Sequence, residues 1–242
     1  MDMFLDDQRK LYCSTMDILS SEMSIIDDIV ALFGELSILA TNLATARVIS
    51  LFILSVSQDF APACSLVLGG RLDAAYAVAR RSLEILGISR MIAHDPEASP
   101  TWAAAHKDDQ SWKAFKRKFT IENMFPKGDL FWDKIFRLYD HLAREHHPNP
   151  KSFSRIKEHS RTDTQIQFAI SSLSFGTEEF RENATAFWVI VYIFSMVLLG
   201  FAGILLVHCE DEECKKASKA ATSAGEFVKK AWDKMRPRGK EG

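Results

Sequence analysis

Residues 69–96 read GGRLDAAYAVARRSLEILGISRMIAHDP. At about 100° of helix rotation per residue, Ala74, Val78, Ile85, Ile88 and Ile92 fall on one stripe. Leu72, Ala75, Tyr76, Ala79, Leu83 and Leu86 fall on roughly the opposite side. A helix apolar on two faces lies between other helices rather than on a surface. Gly69-Gly70 interrupts the chain before it and Asp95-Pro96 ends it. Arg81 falls near the centre of the first stripe, between Val78 and Ile85. A buried guanidinium needs a partner, because an unpaired charge is costly there. Glu84 is three residues on, within reach across one turn. Three readings follow: a core ion pair that sets helix register, a binding or catalytic arginine facing a cleft, or simple exposure through a gap in the bundle.

The rest of the chain agrees with an all-α protein. Its 242 residues are 47% hydrophobic and 11% aromatic, enough for a substantial core, and contain only 11 glycines and 7 prolines. Scarce turn formers and long runs of 3.6-residue periodicity argue for helices. The formal net charge of −2 offers no global attraction for nucleic acid. Four cysteines, Cys13, Cys64, Cys209 and Cys214, do not make a disulfide framework in a chain this long. Cys209 and Cys214 bracket four acidic residues at a spacing untypical of a zinc knuckle, so ordinary reduced thiols are expected. The opening MDMFLDDQRK is acidic and lacks the order of a secretory signal, which points to the cytoplasm.

Outward from residues 69–96, the periodicity predicts a helix from about Phe4 to Phe33, a second from Glu35 to Val56, and a short one begun by Asp59-Phe60-Ala61-Pro62. Beyond Pro96, Ser99-Pro100 opens a helix running through Trp102, Trp112, Phe115 and Phe119. Its Lys107, Lys113, Lys116, Arg117 and Lys118 read as a solvated face, with contact to phosphate or acidic lipid as the alternative. Phe125–Gly128 is a loop, Asp129 opens a helix that ends at Pro148, and the polar, basic stretch from Asn149 to about Thr164 reads as a mobile loop. A helix from about Thr177 leads into Ala184–Val207, about 24 positions without a charge, long enough to cross a bilayer. Thr185, Trp188, Tyr192 and Ser195 lie towards one side of it, and the flanks give little orientation signal. It reads as a central core helix or oligomer interface, with a single span of an inner membrane as the alternative. A last helix reaches about Lys234.

Chemistry concentrates in Tyr139-Asp140-His141-Leu142-Ala143-Arg144-Glu145-His146-His147-Pro148. His146 continues the apolar face of Ile135, Tyr139 and Leu142, while His141 joins Arg137 and Arg144 on the polar side. His146 and His147 stand at a helix C-terminus, where the dipole favours the protonated form. They read as cap and packing groups, or as proton donors and phosphate contacts. His141 and Glu145 share a face, but no second pair completes a metal site. No metal or cofactor is expected. No phosphate-binding glycine loop, nucleophile elbow or HExxH is present. The HEPN ribonucleases, compact helical bundles, carry an arginine and a histidine separated by four to six residues. Arg90/His94, Arg137/His141 and Arg155/His159 have three between them and so depart from that motif.

Arg80-Arg81-Ser82-Leu83-Glu84, then Asp95-Pro96-Glu97, then Tyr139, Leu142 and His147-Pro148 resemble a broad bacterial family of all-helical proteins of unknown function. Its members share an R-x-x-L-E helix followed by Y-x-x-L-S-x-x-x-H-P. The resemblance covers roughly Asp59 to Pro150, with Ala143 where the family often has serine. It implies a helical fold and a polar cluster of an arginine, Glu84, Tyr139 and His147, and no known activity. The family pattern selects Arg80 and His147, whereas the helix wheel selects Arg81 and His146, so all four are candidates with Glu84 and Tyr139.

These readings combine into a single helical domain over residues 1–242. The leading expectation is a self-associating, non-enzymatic module whose polar cluster sets helix register. A nucleic-acid-cleaving or nucleotide-binding effector of stress or phage defence, and a membrane-anchored protein held by Ala184–Val207, are the alternatives.

Overall fold

The structure is a computed structural model that describes residues 2–43, 46–146, 156–161, 166–170 and 177–236. Its axis is the apolar run. Helix α9, Thr177–Leu206, is surrounded by α1 (Asp2–Leu19), α2 (Ser24–Asn42), α3 (Arg47–Leu68), α4 (Leu72–His94) and α10 (Asp211–Met235). Phe187, Ile190, Val191, Phe194, Val197, Leu198 and Phe201 are fully enclosed, and the Phe194 ring meets Phe60 of α3 at 4.8 Å. Ser195 is enclosed too, and its hydroxyl donates to the Val191 carbonyl at 2.7 Å, so no polar atom of that side chain is stranded. Among the described residues, two helices are long and apolar enough to cross a bilayer. In α9, 72% of the apolar stretch is buried against other helices, compared with 44% in α3.

Helix α4 lies between α3, α9 and the helices that follow it: α5 (Ala98–Ala104), α7 (Ile121–Met124) and α8 (Leu130–His146). Of its two apolar stripes, the one through Ala75, Ala79, Leu83 and Leu86 is fully buried. The stripe that carries Arg81 is only half-buried at Val78, Ile85, Ile88 and Ile92. The reading that places Arg81 inside the core is therefore corrected: its stripe is only partly covered, and Arg81 reaches solvent. Gly87 allows α7 to close on α4, since a Cβ there would stand 2.8 Å from Met124 Cβ and 3.0 Å from the Phe125 ring.

Several boundaries also differ from the sequence reading. The helix expected over Phe4–Phe33 breaks into α1 and α2 at a 3-10 turn, Ser20–Glu22. Gly34 sits inside α2, where packing outweighs its helix cost of about 1 kcal/mol. The helix expected over Glu35–Val56 is interrupted instead near residues 43–46, where Leu43 turns extended and α3 folds back along α2. The Ser37 hydroxyl donates across that hairpin to the Ser50 carbonyl at 3.4 Å. Helix α3 then runs through Pro62, which begins no separate helix. Pro62 and Gln58 both face solvent, so water can satisfy the carbonyl that the proline leaves unbonded. The helix expected from Ser99 to Phe119 is two, because Asp108 caps a new one, α6 (Asp109–Lys118), accepting from the Ser111 amide at 2.7 Å. Asp129 opens α8 as expected, accepting from the Phe131 and Trp132 amides at 2.8 and 3.1 Å.

The stretch expected to be a mobile loop contains a strand. β1 (Ile156–Arg161) pairs antiparallel with β2 (Ile166–Ile170), Ile156 opposite Ile170, with an irregularity between Glu158 and Ser160. The alternation in Ile166-Gln167-Phe168-Ala169-Ile170 is the period-2 signal behind it. This small hairpin is an appendage to an all-α fold. Glu22 accepts from Lys230 and Lys234, each at 2.7 Å, and both ammonium groups stand over the Trp188 ring at 5.8 and 5.7 Å. Those two hydrogen bonds hold the Glu22 carboxyl below its ordinary range and pin α10 to the turn after α1.

Two glycine substitutions separate packing from propensity. Gly87→Ala is expected to destabilise by about 1–3 kcal/mol through overpacking against Met124. Gly225→Ala in α10, where a Cβ meets nothing within 4 Å, is expected to stabilise by about 0.5–1 kcal/mol. Thermal melts followed by circular dichroism check both signs.

Candidate functional site

Arg80 and Glu84 are one turn apart on α4, the spacing at which an arginine and a carboxylate meet on a helix surface. Arg80 Nε and Nη2 donate to Glu84 Oε1 at 3.2 and 3.1 Å. Tyr139 on α8 completes the set. Its hydroxyl donates to the same Glu84 oxygen at 3.1 Å and accepts from Arg80 Nη2 at 3.3 Å. The guanidinium carbon lies 5.2 Å from the Tyr139 ring centre, and that ring also meets Phe125 at 5.5 Å. The Tyr139 ring is buried, while Arg80 and Glu84 keep a quarter to a third of their side chains exposed. The three groups form a closed triangle across the α4–α8 contact.

Its electrostatics are those of a clamp. Burial, and then the charge of Glu84, push the Tyr139 hydroxyl above its ordinary value, so it stays a neutral donor. Burial opposes the Arg80 charge, but Tyr139 and Glu84 outweigh it and hold the guanidinium above its ordinary value. A tyrosine kept protonated and an arginine kept charged are poor proton carriers near neutrality. Their strength is in fixing the register of α8 on α4.

Arg81 belongs to a separate contact and does not pair with Glu84. Its Nη1 meets both oxygens of Asp59 at 2.6 and 2.5 Å, and its Nη2 donates to Ser55 Oγ at 3.1 Å, tying α4 to α3. Arg81 is 55% exposed, so this pair contributes little to stability. Burial pushes the Asp59 carboxyl above its ordinary value in spite of the adjacent arginine. Asp59 and Ser55 escaped the sequence reading. The signal was there, since Asp59 is the lone acidic residue of α3.

His146 is the last residue of α8, and its side chain is not among those described; His147 lies outside the described residues. His141 is exposed. Among the described residues, no group of three histidine, cysteine or acidic side chains is gathered as a metal site would need. Of the basic cluster near Lys107, Lys118 is tied down, 2.7 Å from Asp95. Cys209 and Cys214 come together at the α9–α10 turn, their sulfurs 2.9 Å apart, with Cys214 Sγ 3.0 Å from the Cys209 carbonyl. Burial and the neighbouring thiol push Cys209 up to about 11, which keeps it protonated and unreactive near neutrality.

Comparison with protein-family models, with curated proteins and with solved structures found no match.

If the triangle is a clamp, Tyr139→Phe costs about 1 kcal/mol and Arg80→Met about 1–2 kcal/mol, since the latter leaves Glu84 without its charged partner. The double variant should cost less than the sum, with a coupling of about 0.5–1.5 kcal/mol. Urea titration of the four proteins measures it. Strict additivity contradicts the shared hydrogen bonds.

Proposed function

We propose that this chain is a self-associating helical interaction module of the cytoplasm, and that its Arg80–Glu84–Tyr139 cluster acts in folding rather than in catalysis. The observation that carries the reading is the outer face of α3. Leu51 and Leu54 are 61% and 45% exposed on adjoining turns of that helix. Between Arg47 and Asp59 the helix has no charged residue. Exposed apolar side chains grouped on one face mark an interaction surface. A second copy is the occupant that fits. An uncharged apolar stripe is complementary to itself about a two-fold axis, whereas a charged stripe would demand a different partner. A net charge of −2 sets up little repulsion between copies.

Two further observations support the reading. The polar groups of the Arg80 cluster satisfy one another across the α4–α8 contact. The apolar surface of α9 is mostly taken up by other helices, which leaves little of it for lipid.

Sedimentation of the detergent-free protein is expected to give a discrete oligomer, and Leu51→Glu with Leu54→Glu is expected to give a monomer with an unchanged helical spectrum. A wild-type monomer at every concentration contradicts self-association. Recovery from membranes alone points instead to the anchored protein. Growth arrest on overexpression, abolished by His147→Ala without unfolding, points instead to the effector.

A further inference from the structure

Between α8 and the C-terminal part of α9 lies a cavity of about 430 Å³, a volume suited to a small organic molecule. Phe131 and Trp132 form one wall, and Leu199 and Ile204 the other. Gly203 also lines it, and a Cβ placed there would meet nothing within 4 Å. The space is therefore open at that point of the helix. Val207, at the end of the same wall, is 65% exposed, so the cavity communicates with solvent.

His94, the last residue of α4, lines the cavity. One turn earlier on the same helix, Arg90 lies with its guanidinium carbon 5.4 Å from the centre of the Trp132 ring. Arg90 spends one donor, Nη1, on the Asn123 carbonyl at 3.1 Å. His208 follows Val207, and its Nε2 is buried with no hydrogen-bond partner among the described residues. Burial, and then the charges of Arg90 and His208, hold His94 below its ordinary value. The acidic group that offsets Arg90 is Asp129. An apolar pocket with an arginine one turn from its polar edge favours negative charge on an otherwise apolar ligand.

We propose that this cavity binds a small amphiphilic carboxylate, with its hydrocarbon between Trp132 and Ile204 and its carboxylate at the His94 end, in the field of the Arg90 guanidinium. The site goes beyond the self-association described above and does not depend on it: Leu51 and Leu54 are on α3, which contributes nothing to the cavity lining.

Calorimetric titration of the full chain with decanoate, below its micelle concentration, tests the proposal against two controls. Decanol offers the same chain length without the charge. Gly203→Leu fills the cavity with a side chain that the open space accommodates, and its melting temperature verifies folding. Saturable decanoate binding is expected, at least about tenfold weaker for decanol and at least about tenfold weaker in Gly203→Leu, with Arg90→Met reducing the preference for decanoate over decanol. No saturable binding by the wild-type chain, or equal binding by a folded Gly203→Leu, overturns the site. Equal affinity for decanol overturns the assignment of a carboxylate.

Discussion

Everything in this fold depends on covering α9. A run of about 24 residues without a charge is too apolar to face water along any side, and its helix needs partners all round. The chain supplies them from both directions in sequence: α1 to α4 before it and α10 after it. The enclosed phenylalanines on α9, α3 and α2 are the largest fully buried side chains, and the enclosed Ser195 folds its hydroxyl back onto its own helix. The same constraint explains why α4 is lined with small residues such as Ala75, Ala79 and Gly87 on its buried side. Small side chains let α3, α7 and α9 approach it closely.

Once α9 is covered, the remaining freedom lies in how the outer helices sit on the core, and polar contacts settle it. Arg80, Glu84 and Tyr139 fix α8 on α4, Arg81 with Asp59 and Ser55 fixes α4 on α3, and Glu22 with Lys230 and Lys234 fixes α10 on the turn after α1. Each joins residues far apart in sequence or on different helices, and each sits at the edge of an apolar contact rather than inside it. Such contacts add little raw stability when partly exposed, but each penalises a slipped register by leaving a charge unpaired. The functional reading follows from what these clamps leave over: the uncovered face of α3, and the cavity beside α9.

The fold class was legible because helical periodicity and the scarcity of glycine and proline are properties of local sequence. The positions of the helix breaks were less so. Gly34 and Pro62 are local breakers that tertiary packing overrode, while the actual break near residues 43–46 carries no strong turn signal. For the polar cluster, the R-x-x-L-E pattern selected Arg80 and Glu84 with Tyr139, and the structure joins those three. The helix wheel selected Arg81 because it ranks faces by apolar content, and both faces of α4 are apolar. Which face is buried depends on where α9 packs, and that is not written in α4 itself. Asp59 stands out as the lone acidic residue of α3, but its pairing with Arg81 was not legible for the same reason, since the partner lies 22 residues away on the next helix. His146 and His147 remain candidates from sequence alone.

Native-state hydrogen exchange of the detergent-free protein tests the burial of α9 most directly. If α9 is the core of the bundle, its amides from Ala186 to Leu205 are the slowest in the chain and exchange only through global unfolding, with protection equal to the stability measured by denaturant. Fast exchange along α9 in water, with protection appearing only in a bilayer or detergent micelle, would contradict the account and make lipid the solvent of that helix.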